Sequence, residues 1–584
     1  MLTRPIKLAV QLVLVNVSLP FLAGICLPGQ ASAQTAAMAT VQTAGAAHNQ
    51  TAASSAIGTN TSVRVRRGTA ASSAAPPGSQ TITVDYTAQT HPLSTFWAYF
   101  GYDEPNYTYM RDGKKLLGEL SALSAVPVYV RCHNLLTTGD GTPALKWGST
   151  NAYTEDSQGR PVYGWHLVDS IFDTYVSRGM KPLAEIGFMP EALSTHPEPY
   201  RHHWRPGVRY DSIYTGWAWP PNDYDKWSRL VEQWVRHCIS RYGEKEVLSW
   251  LWEVWNEPNI SYWKGTEEEY FTLYDVTAAA VKRALPAAHI GGPATTGPGW
   301  DKAARWLRDF LDHCAAKKTP LDFISFHAKG SPKVVDGHVR MNMVPQLNDV
   351  ATGFAIVKAS AYKDLPIYIT ECDPEGCAAC GMTTNPENAY RNGTMYSSYT
   401  AASFSRIAAL ADSFRVNLGG AISWSFEFEN QKWFDGFRDL ATNGIDKPVL
   451  DVFRMYGLMR GNFIPTANAY VSADKHAMYV MVWNYTDDDL PGPATTVNIV
   501  LTHLPGKKFA LTEYRIDESH SNAYEVWKKM GSPQSPTAEQ YTLLEAAGKL
   551  QVMGPAKSVG IATGTLTVPV ILPPQAVALL RFDF

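Results

Sequence analysis

Hydrophobic and polar positions alternate in two different ways along the chain, and the change between them predicts two folded regions. Between residues 93 and 460, short apolar runs that end in polar residues alternate with stretches of helical periodicity, a pattern typical of a parallel β-sheet. We count eight such runs, which is the number of strands in a (β/α)8 barrel. The runs are Phe96–Tyr102, Val126–His133, Pro182–Phe188, Leu248–Asn256, Ile290–Ala294, Phe323–His327, Ile367–Glu371 and Ala421–Phe426.

Helices are predicted between the runs. The clearest spans Tyr224–Tyr242, where large apolar residues recur at intervals of three and four and form one apolar face. After a last helix at Pro448–Leu458, the pattern changes to short segments of strict alternation. These segments predict an all-β domain over residues 461–584, most simply a β-sandwich. The fold class that we predict is therefore α/β, a (β/α)8 barrel with a C-terminal β-sandwich domain.

The first ninety residues divide into three parts. Residues 1–33 combine early basic residues, an apolar stretch and a small-residue site ending at Ala33, which predicts a cleaved signal peptide and a secreted or periplasmic protein. Residues 34–80 are rich in Ala, Thr and Ser and predict a disordered leader. Residues 81–92 contain an alternating run that predicts a strand, and we expect this strand to join the β-sandwich.

Composition and charge narrow the range of partners. The net charge of -3 comes from 51 basic and 54 acidic residues, so the chain offers no polycation for nucleic acid or for an anionic membrane surface. Aromatic residues make up 12% of the chain, a share that suits both core packing and stacking on sugar rings. We therefore expect a small neutral substrate, with no nucleic acid and no membrane surface as a partner.

Two carboxylates stand at the ends of predicted barrel strands, where barrel enzymes place their active sites. The fourth run leads into the motif Trp255–Asn259 (WNEPN), in which a proline follows Glu257 and ends the strand. The seventh run ends in Glu371, which approaches the same rim from across the barrel. Two opposed carboxylates are the minimal apparatus of a glycosidase. Asp373 and Glu375 compete with Glu371, but both lie in a loop that fixes a side chain less firmly than a strand does.

These motifs resemble those of glycoside hydrolase family 39, the β-xylosidase and α-L-iduronidase family, which belongs to a clan of retaining barrel glycosidases with a catalytic Asn-Glu pair. The resemblance spans about residues 96–457, and a terminal sandwich is also expected in the family. The stretches that carry it are Val130–Leu136, Glu185–Pro190, Trp217–Pro221, Trp255–Asn259 and Thr370–Glu371.

The resemblance implies a role for each of several residues. Glu257 is the expected general acid/base and Glu371 the expected nucleophile, while Asn256 binds the sugar 2-hydroxyl. Arg131 is expected beside Glu371, where it keeps that carboxylate ionised. The other residues expected to contact the sugar are His133, His327, Trp424 and Glu429.

The activity that these roles imply is that of an exo-acting β-xylosidase, which releases terminal sugars from short oligosaccharides through a covalent intermediate. This mechanism needs no metal or other cofactor. Two departures bear on the shape of the sugar site: Asn134 stands where the family commonly has glycine, and either Glu427 or Glu429 could face the substrate. Within the family, an α-L-iduronidase-like enzyme is the alternative, with Lys329 or Lys333 as the cation for a uronate. A catalytically inactive carbohydrate-binding barrel is the alternative from another class.

Three cysteines, Cys372, Cys377 and Cys380, lie close together directly after the seventh run. Their spacing is similar to that of some iron-sulfur ligands, but an exported protein meets oxidising conditions. A local disulfide near the rim is therefore the better prediction, although the sequence does not indicate which two of the three are paired.

Overall fold

The structure is a computed structural model that describes residues 78–200, 216–375, 381–383, 385–561 and 564–584. The predicted signal peptide and nearly all of the predicted leader lie outside the described residues, as do Cys377 and Cys380. In the part of the chain that is described, no helix is both long enough and apolar enough to cross a lipid bilayer.

The described elements alternate between strand and helix up to residue 458 and are mainly strands afterwards. The strands are β1 (Ser79–Asp85), β2 (Tyr99–Tyr102), β3 (Tyr129–Cys132), β4 (Tyr153–Glu155), β5 (Pro161–Tyr163), β6 (Lys181–Ile186), β7 (Leu251–Val254), β8 (His289–Thr295), β9 (Phe323–Lys329), β10 (Lys333–Val335), β11 (His338–Arg340), β12 (Pro366–Asp373), β13 (Asn417–Ala421), β14 (Ser423–Trp424), β15 (Ala441–Thr442), β16 (Ile445–Asp446), β17 (Asn462–Ile464), β18 (Tyr470–Ala473), β19 (Ala477–Trp483), β20 (Thr495–Thr502), β21 (Lys508–Ile516), β22 (Gln551–Val552), β23 (Lys557–Gly560), β24 (Thr565–Leu572) and β25 (Val577–Asp583). The helices are α1 (Arg111–Ser121), α2 (His166–Val176), α3 (Tyr224–Tyr242), α4 (Glu244–Val247), α5 (Glu267–Ala284), α6 (Asp301–Lys317), α7 (Val344–Ala359), α8 (Thr394–Phe414), α9 (Pro448–Leu458), α10 (Ala523–Lys529) and α11 (Ala538–Ala547).

One parallel sheet with the order β13-β12-β9-β8-β7-β6-β3-β2-β14 forms the barrel. Its end strands, β13 and β14, come from a single run interrupted at Ile422. Because β13 pairs with β12 while β14 pairs with β2, the sheet closes on itself. Each of the first seven apolar runs contributes one barrel strand, and the eighth contributes β14 and the end of β13, so the predicted (β/α)8 fold is confirmed.

Helix α3 shows how the sequence pattern produces the outer layer of the barrel. It begins after Asp223, whose carboxylate accepts a hydrogen bond from the amide of Lys226 and caps the helix. The residues of its apolar face are all buried. They are Trp227, Leu230, Val231, Trp234, Val235 and Cys238. Burial of this stripe against the barrel wall stabilises the helix more than the helix propensity of its residues does.

Two sheets with a shared apolar core form the terminal domain. The smaller sheet has the order β1-β20-β24, and the larger contains β17, β18, β19, β25, β21 and β22 with β23 beside β21. Strand β1 pairs in parallel with β20, so the strand expected near residues 81–92 lies in this domain. Side chains from both sheets, such as Ile499 and Val480, pack into one hydrophobic cluster.

The terminal domain also contains two helices, α10 and α11, that the expectation of an all-β domain missed. Thr537 and Gln540 form a capping box at the start of α11, a signal that was readable in the sequence. Trp527 of α10 packs on Phe434, which lies in the loop after the last barrel strand. These short helices therefore stabilise a loop on the catalytic face of the barrel.

Candidate active site

The first candidate carboxylate, Glu257, follows β7 in a sharply turned segment. Trp255 and Glu257 adopt positive φ angles of 71° and 44°. Such angles cost energy for residues other than glycine and persist only where the surrounding structure enforces them. The amide of Glu257 donates a hydrogen bond to the carbonyl of Ala294 at 2.9 Å, so the end of β8 fixes its position at the rim.

The second candidate carboxylate, Glu371, lies in β12, and its side chain is only 7% exposed. Lys329 Nζ is 2.8 Å from its Oε2, and Arg131 Nη1 is 3.4 Å from its Oε1. Burial alone would raise the pKa of Glu371, but the neighbouring His327, Lys329 and His133 lower it well below its ordinary value. These neighbours therefore favour the ionised form of Glu371, which nucleophilic attack by a carboxylate requires.

His327 lies between the two carboxylates. Its Nδ1 is 2.9 Å from Oε1 of Glu257 and 3.8 Å from Oε2 of Glu371. One ring nitrogen and one oxygen of each carboxylate all lie within 4.8 Å of one another. A metal ion could use these three atoms, but Lys329 and Arg131 already place positive charge at Glu371 and would repel a cation. The imidazole is completely buried, and direct binding of a sugar hydroxyl by it stays a prediction.

Arg131 joins several side chains below the rim. Its Nε donates a hydrogen bond to Glu253 at 2.5 Å, and its Nη2 is 3.0 Å from Glu185 and 3.1 Å from Oδ1 of Asn256. The guanidinium is completely buried, so each of these contacts compensates for lost hydration. The predicted neighbour Glu371 is present but is the most distant of the three carboxylate partners.

His133 lies between two carboxylates below the rim. Its Nδ1 is 2.7 Å from Asp103 and its Nε2 is 3.0 Å from Glu185. Burial alone would lower the pKa of His133, but these two carboxylates raise it to about 10. Its Nε2 is also 2.8 Å from Nη1 of Arg131 and 3.5 Å from Oε1 of Glu371. Hydroxyl binding by His133 stays a prediction.

The backbone next to His133 accounts for one departure from the family pattern. Asn134 has a φ of 61°, in the left-handed region that favours glycine and that asparagine tolerates better than most residues. Its amide group donates to the carbonyl of Asp103 at 2.9 Å. Asparagine can therefore replace glycine here and also fix the position of Asp103.

Trp424 lies beneath the charged groups and has no exposed surface. Its ring centroid is 5.0 Å from the guanidinium of Arg131 and 5.5 Å from that of Arg438, and the ring of His133 is 4.5 Å away. Cation-π contacts of this kind fix the orientation of both arginines. The role predicted for Trp424, a wall of the sugar site, stays a prediction.

Glu427 and Glu429 make hydrogen bonds that lead away from the two candidate catalytic carboxylates. Glu427 is buried and accepts a hydrogen bond from the amide of Gly444 at 2.5 Å, and burial raises its pKa well above the ordinary value. Glu429 accepts a hydrogen bond from the amide of Asp112 at 2.5 Å, in the first turn of α1. The contacts of Glu429 are those of a helix cap, so substrate binding by it stays a prediction without a supporting contact.

Five charged residues of this site were missed or underestimated by the sequence analysis. Asp103 follows β2 directly, so its place at the end of a strand marked it as a candidate site residue. Its partners are Lys146 at 2.8 Å and Arg438 at 2.9 Å, which come from loops without a sequence signal. Glu185 and Glu253 lie inside buried strands, where a charged residue is itself a signal of a buried ion pair.

Cys372 follows Glu371 and is a buried free thiol. Gln346 donates a hydrogen bond to its sulfur at 3.4 Å, and burial raises the pKa of the thiol. Of the three cysteines, Cys372 is therefore not part of the predicted disulfide, because its sulfur is buried against Gln346. The remaining pair, Cys377 and Cys380, lies outside the described residues.

The chain is similar in sequence and in fold to proteins that are already known. A sequence model described as "Glycosyl hydrolases family 39" matches residues 80–564. A β-xylosidase of Geobacillus stearothermophilus is 29% identical over 72% of this chain and 79% of its own. A β-xylosidase of Caldicellulosiruptor saccharolyticus is 28% identical over 80% of this chain and 92% of its own. The crystal structure of a monomeric β-xylosidase from Caulobacter crescentus CB15 has the same fold, with a TM-score of 0.71, 24% identity, and coverage of 86% of this chain and 99% of that one.

Proposed function

The chain belongs to glycosyl hydrolase family 39 and is an O-glycoside hydrolase, and from that premise we propose that it is a retaining, exo-acting β-xylosidase. The proposed substrate is a short β-linked oligosaccharide with a terminal xylose. The proposed catalytic residues are Glu257 and Glu371.

The observation that carries the retaining mechanism is the closeness of the two carboxylates. An oxygen of Glu257 lies within 4.8 Å of an oxygen of Glu371. Retaining glycosidases separate their carboxyl groups by about 5 Å, whereas inverting enzymes need about 6.5–9.5 Å to admit a water between carboxylate and sugar. The short separation supports direct attack by a carboxylate on the anomeric carbon.

In the proposed first step, Glu371 attacks the anomeric carbon and forms an ester bond with the sugar. The glycosidic bond breaks, and the leaving oxygen takes a proton from Glu257. In the second step, Glu257 removes a proton from water, which attacks the same carbon and releases Glu371. The Nδ1 of His327, 2.9 Å from Oε1 of Glu257, supports this assignment because it orients the acid/base.

The charges in the site support a neutral glycone. Lys329, the cation considered for a uronate, is in contact with both Glu371 and Asp373, so two carboxylates already balance its charge. Lys333, the other candidate, is exposed in the β10-β11 hairpin. An α-L-iduronidase-like activity would require Lys329 to exchange a partner for the sugar carboxylate. A carbohydrate-binding barrel without catalysis would have no need for two carboxylates so close together.

A panel of nitrophenyl glycosides tests the proposal. We expect the purified protein to hydrolyse the β-xyloside with a higher kcat/KM than the α-arabinoside, the β-glucoside and the α-iduronide. NMR during turnover should show β-xylose as the first-formed anomer, and xylotetraose should initially yield xylose and xylotriose. Preference for the iduronide would assign the alternative glycone, and the absence of any turnover would indicate a binding protein.

We also propose that the protein is exported with cleavage after Ala33. The basis is the pattern of residues 1–33, with basic residues before an apolar stretch and a small-residue site. Amino-terminal sequencing of the protein purified from a secreting host should begin at Gln34. An intact amino terminus on the exported protein would contradict the proposal.

A further inference from the structure

Trp300 is an unusual surface residue because half of its large apolar side chain is exposed. It belongs to the loop that joins β8 to α6, which leaves the carboxyl end of a barrel strand and so lies on the catalytic face. One face of its indole is partly covered by Lys302, whose Nζ lies 5.6 Å from the ring centroid. An aromatic ring exposed on the catalytic face is available to contact a substrate.

The loop that carries Trp300 is fixed by several hydrogen bonds. The amide of Trp300 donates to the carbonyl of Gly297 at 3.1 Å, which closes a tight turn. The amide of Gly299 donates to the carboxylate of Asp349 on α7 at 2.9 Å. A Cβ at Gly297 would lie only 2.1 Å from the same carboxylate, so glycine is required for this approach. The indole is therefore presented by a well-ordered turn.

The same loop begins beside the proposed acid/base. The carbonyl of Ala294 accepts the hydrogen bond from the amide of Glu257. Two residues further along both segments, the side chain of Asn259 forms hydrogen bonds with the hydroxyl and the amide of Thr296, at 2.7 and 3.0 Å. The turn places Trp300 within about 7 Å of Gly297, measured between Cα atoms. Trp300 therefore ends a loop that begins beside the segment carrying Glu257 and is held by Asp349 of α7 at its other end.

The position of Glu257 indicates which part of the substrate lies beside this loop. Because an acid/base protonates the leaving oxygen, the part of the substrate that departs extends past Glu257. We propose that Trp300 stacks on a pyranose ring of the leaving-group portion of a β-linked oligosaccharide, in a subsite remote from the bond that is cleaved. This inference rests on the proposed function and adds a determinant of chain-length preference to it. The free face of the indole supplies the apolar surface that the carbon-bound hydrogens of a sugar ring contact.

The test is the ratio of kcat/KM for xylopentaose to kcat/KM for xylobiose, measured for the wild type, Trp300→Ala and Trp300→Tyr. Loss of a stacking contact of ordinary strength should lower this ratio about 3- to 10-fold in Trp300→Ala. Trp300→Tyr should recover most of it, because an aromatic face remains. Partial misfolding changes both rates equally, so it does not change the ratio. Ile571→Ala, which removes another exposed apolar side chain on β24 of the terminal domain, should leave the ratio at the wild-type value.

The possible outcomes distinguish failure of the stacking subsite from failure of the proposed function. A ratio that is the same in Trp300→Ala as in the wild type would overturn the stacking subsite while the proposed function stands. A wild type that cleaves both substrates with equal kcat/KM would also overturn it. If the wild type cleaves no xylo-oligosaccharide and no nitrophenyl xyloside, the proposed function fails, and the subsite for a xylo-oligosaccharide fails with it.

Discussion

Lys329→Met removes the positive charge nearest to the proposed nucleophile. The ammonium lies 2.8 Å from Oε2 of Glu371 and also contacts Asp373. Methionine retains a similar length of apolar side chain, so the main change is the loss of charge. We expect the acidic limb of the kcat/KM profile, which reports ionisation of the nucleophile in the free enzyme, to move to higher pH.

The size of the shift follows from the distance. Two unit charges at 2.8 Å interact by about 6 kcal/mol at an effective dielectric constant of about 20. This value is an upper limit, because Asp373 shares the ammonium and Arg131 still approaches Glu371. An opposite charge in direct contact ordinarily lowers a carboxyl pKa by about 1–3 units. The acidic limb should therefore rise by about 1–3 pH units.

The pKa of Glu371 is lower in the folded protein than in the unfolded chain. Its ionisation therefore stabilises the fold at any pH above the pKa of the unfolded chain. This contribution is lost as the pH falls through the pKa of the folded protein. The variant should therefore also lose stability near neutral pH, which is measurable as a lower Tm. Lys333→Met is the matched control. Lys333 lies four positions after Lys329 in the sequence, and its side chain is exposed. A folded Lys329→Met enzyme with an unchanged acidic limb would refute the reasoning.

Three further predictions follow from the site. Glu257→Ala should lose activity on natural substrates but retain the first step on activated aryl glycosides, with turnover restored by azide; equal loss on both would contradict the acid/base assignment. A 2-deoxy-2-fluoro xyloside should label Glu371, as mapped by mass spectrometry of peptides; label elsewhere would reassign the nucleophile. Arg131→Met should cost about 3–5 kcal/mol in unfolding free energy, because Glu185 and Glu253 lose their buried partner; a Tm equal to that of the wild type would contradict this.

Local patterns were sufficient for the barrel and for its two candidate catalytic carboxylates. Helix α3 has the bounds that its three- and four-residue spacing predicts, because one apolar stripe specifies both the helix and the face that it buries. Glu257 and Glu371 were found because a barrel brings the carboxyl ends of its strands to one rim. Neither inference required knowledge of which side chains touch.

The parts that were not predicted depend on contacts between distant segments. Arg131 and Glu253 are 122 positions apart, and Lys146 reaches Asp103 from a loop. No periodicity indicates such pairs, because each arises only after the barrel has closed. Helices α10 and α11 were missed for a different reason: they are short segments within a run of strands, and only the capping box at Thr537 marked one of them.

The buried network also explains why charged residues occur inside strands that are otherwise apolar. Arg131 lies 3.4 Å from Glu371, the proposed nucleophile, but a single buried guanidinium would itself be costly. Glu185 and Glu253 compensate for its charge, and Glu185 then also interacts with His133. The carboxylates within the strands therefore balance buried positive charge next to the proposed nucleophile. It follows that substitutions at Glu185 and Glu253 should alter both stability and the ionisation of the site, since one set of charges determines both.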